Sequence, residues 1–157
     1  LGTIVFPRFD TIIQADDWDD VYAFLNSIDL PAGVFIEEIQ FWAHGQQGKA
    51  LIGKETVDLY MLAKCLRGKT NKDTILWWRA CSTAEGTRGH EFAQDCVDIL
   101  QINCIFHCDI ISWPIPLLQN EICGLRPGEK PWWSLSGSEL PSCSALRKVP
   151  PKWAFKS

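Results

Sequence analysis

The chain has 157 residues, 46% of them hydrophobic and 22% charged, the size and balance of one soluble globular domain with a real core. A net charge of -4 leaves no basic surface to hold a phosphate backbone by counterion release, which argues against nucleic acid as a partner. The longest apolar stretch, Ile102 to Leu118, is broken by Asn103, His107, Asp109 and two prolines, so no membrane insertion is expected.

Thr3-Ile4-Val5-Phe6 is a short β-branched run that predicts a first strand, continued after Pro7 by Thr11-Ile12-Ile13. The carboxylates of Asp16 to Asp20 suit a helix start, and Trp18, Val21, Leu25 and Ile28 follow at helical spacing up to Pro31. Glu38 to Ala43 reads as a strand, stopped at His44-Gly45-Gln46-Gln47-Gly48, where two glycines predict a sharp loop. The next helix carries Leu59, Leu62, Ala63 and Leu66 on one face and meets Gly68 as a C-terminal cap. Thr74 to Trp78 has no polar alternation and predicts a strand buried on both faces that runs into Arg79-Ala80-Cys81. After a small-residue loop from Ser82 to Gly89, the residues from His90 to Leu100 repeat with helical period, and Ile102 to Ile111 forms a fourth strand.

Strands alternating with helices in this way predict an α/β domain over residues 1–113, with a mainly parallel sheet and right-handed crossovers. Residues 114–157, rich in proline and tryptophan, read as an irregular extension packed on the same domain, which either completes the sheet with a further strand or is a tail. The chain starts at Leu1 rather than Met, which predicts a piece of a larger polypeptide. Seven cysteines, an odd number in a chain of this length, favour a reducing, cytoplasmic compartment over a disulfide scaffold. Cys65, Cys96 and Cys123 read as small buried hydrophobes.

Two buried strands each end in a reactive side chain followed at once by a small residue, His44-Gly45 and Cys81-Ser82. Ligands of parallel sheets bind at the carboxyl ends of the strands, which is where both residues fall. A cysteine is a good nucleophile only as thiolate, and an adjacent imidazole stabilises or supplies that form. Gly45 leaves its backbone N–H uncovered, so it can donate to the oxygen of a tetrahedral intermediate, with the Cys81 N–H as a second donor. Taken singly, each residue has a plain structural reading; together they point to chemistry.

The apolar strand ending in Ala43-His44-Gly45 and the later one ending in Ala80-Cys81, with the histidine first, resemble the caspase-like cysteine peptidase clan, which includes caspases, gingipains, clostripain, legumain and separase. The resemblance implies a three-layer sandwich whose sheet is flanked by helices, and a cysteine-type endopeptidase acting on peptide or protein substrates without a cofactor. It implies Cys81 as nucleophile, His44 as the acid for the leaving amine, Gly45 and Cys81 as the oxyanion hole, and Arg79, Ser112 and Trp113 as pocket residues. Caspases carry Gln at the position of Arg79 and Ser-Trp-Arg where this chain has Ser112-Trp113-Pro114, so caspase-type aspartate specificity does not follow from the resemblance, whereas Arg79 would favour an acidic side chain if it points into the pocket. The alternative is a catalytically inactive module of the same fold that binds a peptide without turnover.

Other features yield blander readings. Cys104, His107 and Cys108 would alternate across a strand, so no metal site is expected. The Gly86 and Gly89 loop lacks any phosphate-binding pattern. His90, at a helix start, takes a neutral structural role. Trp42, Trp77 and Trp78 are assigned to packing, and so are Trp132 and Trp133.

Overall fold

A computed structural model of the chain describes residues 10–109 and 122–134. Helix α1 (Trp18–Ser27) starts where the sequence predicts, because the Asp17 side chain accepts the Asp20 N–H at 2.8 Å and so caps the first turn. Its Trp18, Val21, Tyr22 and Leu25 are buried. At its other end the Lys69 ammonium donates to the Leu25 and Asn26 carbonyls, at 2.6 and 3.3 Å, where a cation also complements the helix dipole. Thr11 to Ile13 is not a strand: these residues have no ladder partner among the described residues, and Ile12 is 79% exposed. The run from Thr3 to Phe6 lies outside the described residues.

Strand β1 (Glu38–Trp42) is followed by an arrangement that the sequence reading did not foresee. In place of a bare loop, β2 (His44–Gln46), β3 (Lys49–Ile52) and β4 (Glu55–Thr56) form a small antiparallel sheet joined by two-residue turns at Gln47-Gly48 and Gly53-Lys54. Gly48 and Gly53 have φ of 73° and 60°, a backbone that side chains with a Cβ resist. Helix α2 (Leu59–Leu66) is capped by the Asp58 carboxylate, which accepts the Tyr60 and Met61 N–H groups, and Gly68 follows it at φ 74°.

Strand β5 (Ile75–Arg79) and strand β6 (Asn103–His107) are joined by α3 (Gly86–Leu100). The helix begins four residues before the predicted start, and the strand is shorter than the predicted 102–111. Residues 122–125, placed by composition in the irregular extension, form β7 (Ile122–Leu125) and complete the sheet. The strand order is β1-β5-β6-β7, with the first three parallel and β7 antiparallel to β6.

Both crossovers, β1 to β5 and β5 to β6, step the same way across the sheet, so right-handed connections put α2 and α3 on one face. There they join α1 in a single core with Leu76, Trp78, Cys104, Phe106 and Leu125. Ile75, Trp77, Ile105 and Ile122 form a separate buried cluster on the opposite face. Period-two alternation decides this division, and it is why β5 is buried on both faces from Ile75 to Trp78. No helix among the described residues is long and apolar enough to cross a membrane.

Candidate active site

Strand register brings the two chemically loaded segments together. The last β1–β5 pair is Trp42 with Arg79, so His44 and Cys81 each follow two residues beyond a shared ladder end. His44 opens β2 and is exposed, and Cys81 is partly exposed at the turn after β5.

Gly45 approaches the turn after β5 through its backbone. A Cβ there would lie 2.6 Å from the Cys81 nitrogen and 2.7 Å from the Ala80 carbonyl carbon, and would overlap the Cys81 oxygen. The backbone of Gly45 therefore lies flat against the Ala80-Cys81 peptide, an approach that only glycine permits. The hairpin is fastened a second time at Gly48, whose N–H donates to the Thr83 carbonyl at 3.1 Å and whose Cα faces the Arg88 backbone.

Ladder parity sets the direction of the Gly45 amide. The Ala50 carbonyl accepts the Val57 N–H at 3.1 Å, so the polar groups of Ala50 face β4. Gly45 and Ala50 are consequently a non-hydrogen-bonded pair, and the Gly45 N–H is directed away from β3.

The turn after Cys81 rests on the end of β6. The Ser82 N–H donates to the Asp109 carbonyl at 3.0 Å and the Ala84 N–H to the His107 carbonyl at 3.1 Å. Ser82 has φ 55°, a left-handed conformation that costs a non-glycine residue on the order of 1 kcal/mol and persists only where the surroundings enforce it. Ser82, Thr83 and Ala84 are buried, so the segment following Cys81 is held rigidly while Cys81 itself reaches solvent.

Arg79 lies on the sheet face opposite the helices, with its guanidinium 4.1 Å from the Trp42 ring centre and 4.2 Å from that of Trp77. Burial pulls its pKa below the ordinary arginine value, and the Glu38 carboxylate works in the other direction. Trp42, assigned to packing by sequence, is 60% exposed and covers Arg79 instead. Beneath them the Trp77 Nε1–H donates to His107 Nε2 at 3.1 Å. Burial, then the Arg79 charge, lowers the His107 pKa to about 4, so this imidazole is neutral and accepts at Nε2. Cys104 faces the helix core while His107 faces the opposite cluster, as strand alternation predicts.

His90 sits in the second turn of α3, not at its start, so the dipole argument does not apply to it. It stacks on Trp133 with ring centres 4.4 Å apart, beside a groove of about 370 Å³ lined also by Thr87, Glu91 and Gln94, and burial lowers its pKa. Cys123, read as a buried hydrophobe, is only partly buried and meets Cys108. Ser112 and Trp113 lie outside the described residues.

The structure thus brings the Gly45 backbone, next to His44 in the chain, against the Ala80-Cys81 peptide and places Arg79 on the strand that leads to Cys81; alternation along β2 puts the His44 and Gly45 Cβ directions on opposite faces of that strand. Sequence reasoning missed the Trp42–Arg79–Trp77 stack, the support from β6 and the left-handed Ser82. The turn pairs Gln47-Gly48 and Gly53-Lys54 were the available signal for the hairpins. Comparison of the chain with protein-family models, curated proteins and solved structures returns no match.

Proposed function

We propose that this chain is a cysteine-type endopeptidase domain of caspase-like architecture, acting on peptide or protein substrates through Cys81 and His44. The observation that carries the proposal is the contact between the Gly45 backbone and the Ala80-Cys81 peptide. It supports the reading because acyl transfer needs an amide donor within reach of the oxygen of the carbonyl that the nucleophile attacks, and this approach sets the Gly45 backbone beside the Cys81 peptide.

In the proposed reaction the Cys81 sulfur attacks the scissile carbonyl carbon, forming a C–S bond and an oxyanion. The Gly45 and Cys81 N–H groups hold that oxyanion. The C–N bond then breaks as His44 protonates the leaving amine, and water hydrolyses the thioester to return the thiol. No cofactor enters the sequence. The resemblance assigns Arg79, two residues before Cys81, to the wall that would receive the side chain preceding the cut, where its charge would favour an acidic one.

The test is irreversible labelling by a cysteine-directed peptidyl inhibitor. Modification at Cys81 that is lost in His44→Ala supports the enzyme. Equal labelling of both proteins, with no turnover, would mean a peptide-binding module that keeps the fold without the chemistry.

A further inference from the structure

Cys108 follows the last residue of β6, where the chain bends, and Cys123 is the second residue of β7. Cys123 lies opposite Phe106 in the ladder, so Cys108 and Cys123 are diagonal neighbours on the face that meets the helices. Such neighbours ordinarily stand about 7–8 Å apart. Here the bend at Cys108 brings the two sulfurs to 2.7 Å.

Both thiols are only partly buried, whereas Cys65, Cys96 and Cys104 are sealed in the core. Burial also pushes the Cys96 and Cys104 thiols up, away from the thiolate that exchange requires. Two sulfurs already in contact on adjacent strands, at the accessible end of a ladder, need only a small adjustment to reach the covalent distance of about 2.05 Å.

We propose that Cys108 and Cys123 are a redox-modified pair that closes to an intramolecular disulfide, with a small-molecule disulfide of the glutathione class as oxidant. One protein thiolate attacks a sulfur of the oxidant, breaking its S–S bond and releasing one small thiol. The second protein thiolate attacks the protein sulfur of that mixed disulfide and releases the other small thiol. Two protein thiols are oxidised by two electrons, and one small disulfide is reduced to two thiols.

The cross-link sits next to the candidate active site. Cys108 lies between His107 and Asp109, whose carbonyls hold the Ala84 and Ser82 N–H groups of the turn after Cys81. Closing the bridge ties β7 to the backbone on which that turn rests. The inference stands on the Cys108–Cys123 geometry and does not depend on whether Cys81 hydrolyses anything.

The experiment exposes the reduced chain to glutathione buffers of rising oxidised fraction, blocks remaining thiols with iodoacetamide and maps the digest by mass spectrometry. Cys108 and Cys123 are expected to leave the alkylated pool together and to appear as one linked peptide, in roughly tenfold excess over any other cysteine pair. In Cys123→Ser, Cys108 is expected to return as an alkylated or glutathione-capped residue. Separate alkylation of both residues throughout the series overturns the proposal, as does a dominant link from either one to Cys81 or Cys143. The decisive reading is made on the unmodified sequence, so a failure of the variant to fold does not weaken it.

Discussion

Replacing Gly45 with alanine separates steric from conformational roles of glycine at the candidate site. The added Cβ would be 2.6 Å from the Cys81 nitrogen, where ordinary contact begins at 3.4 Å, and would overlap the Cys81 oxygen, so the hairpin must retreat from the β5 turn by more than about 0.8 Å. Both surfaces are backbone, and the hairpin is pinned again at Gly48, so neither side yields by a rotamer change. Overpacking of this kind costs roughly 1–3 kcal/mol. An oxyanion donor effective at about 2.7–3.1 Å would be displaced beyond useful range by the same shift, and loss of one such donor lowers turnover roughly 10²- to 10³-fold. The paired control is Gly53→Ala: nothing lies within 4 Å of its Cβ, but its φ is 60°, so it should cost about 1 kcal/mol through backbone strain alone and leave Cys81 chemistry unchanged. Urea unfolding and the rate of Cys81 modification by a peptidyl inhibitor measure the two effects. Wild-type stability and unaltered Cys81 reactivity in Gly45→Ala would refute the close backbone approach and the proposal built on it.

Three further outcomes are expected. His107 is held neutral with a pKa of about 4, against about 6.5 in an unfolded chain, so the unfolded state binds more protons between these values. Stability should therefore fall as pH drops from about 6.5 to 4, by up to about 3 kcal/mol from this group; His107→Gln, which keeps an acceptor for the Trp77 N–H, should flatten that part of the profile, and identical pH profiles would sink the assignment. Arg79→Ala removes a guanidinium held between two indoles and should destabilise the chain by about 1 kcal/mol, while Arg79→Glu should reverse any preference for acidic side chains in a peptide-library assay. An unchanged library profile would remove Arg79 from the pocket. Asp58→Ala deletes the acceptor for the Tyr60 and Met61 N–H groups and should cost about 1 kcal/mol in thermal unfolding, with no effect on Cys81 labelling.

Local chemistry explains what was legible without coordinates. Asp17 and Asp58 mark their helices because a side-chain carboxylate near an unpaired N–H is a short-range matter, and the unbroken apolar run of β5 betrays burial on both faces. The positions of His44 and Cys81 past two parallel strands follow from the same patterns, since a βαβ crossover admits few arrangements. The sequence reading failed where the deciding partner lies far away in the chain. Ile122 to Leu125 is a strand because β6 offers it an open edge, which its proline-rich neighbourhood conceals. Thr11 to Ile13 has strand-forming residues but no ladder partner among the described residues. Trp42 turns outward because strand parity puts it on the face of Arg79, and residue type alone does not set a face. Likewise the left-handed Ser82 is enforced by carbonyls of β6, and the meeting of Cys108 with Cys123 depends on register and a bend. Sequence by itself determined the three helices, strands β1, β5 and β6 and the order of the reactive residues, because those depend on neighbours within a few positions. Which side chains meet was left to tertiary structure, because register and facing are settled only when distant strands pair.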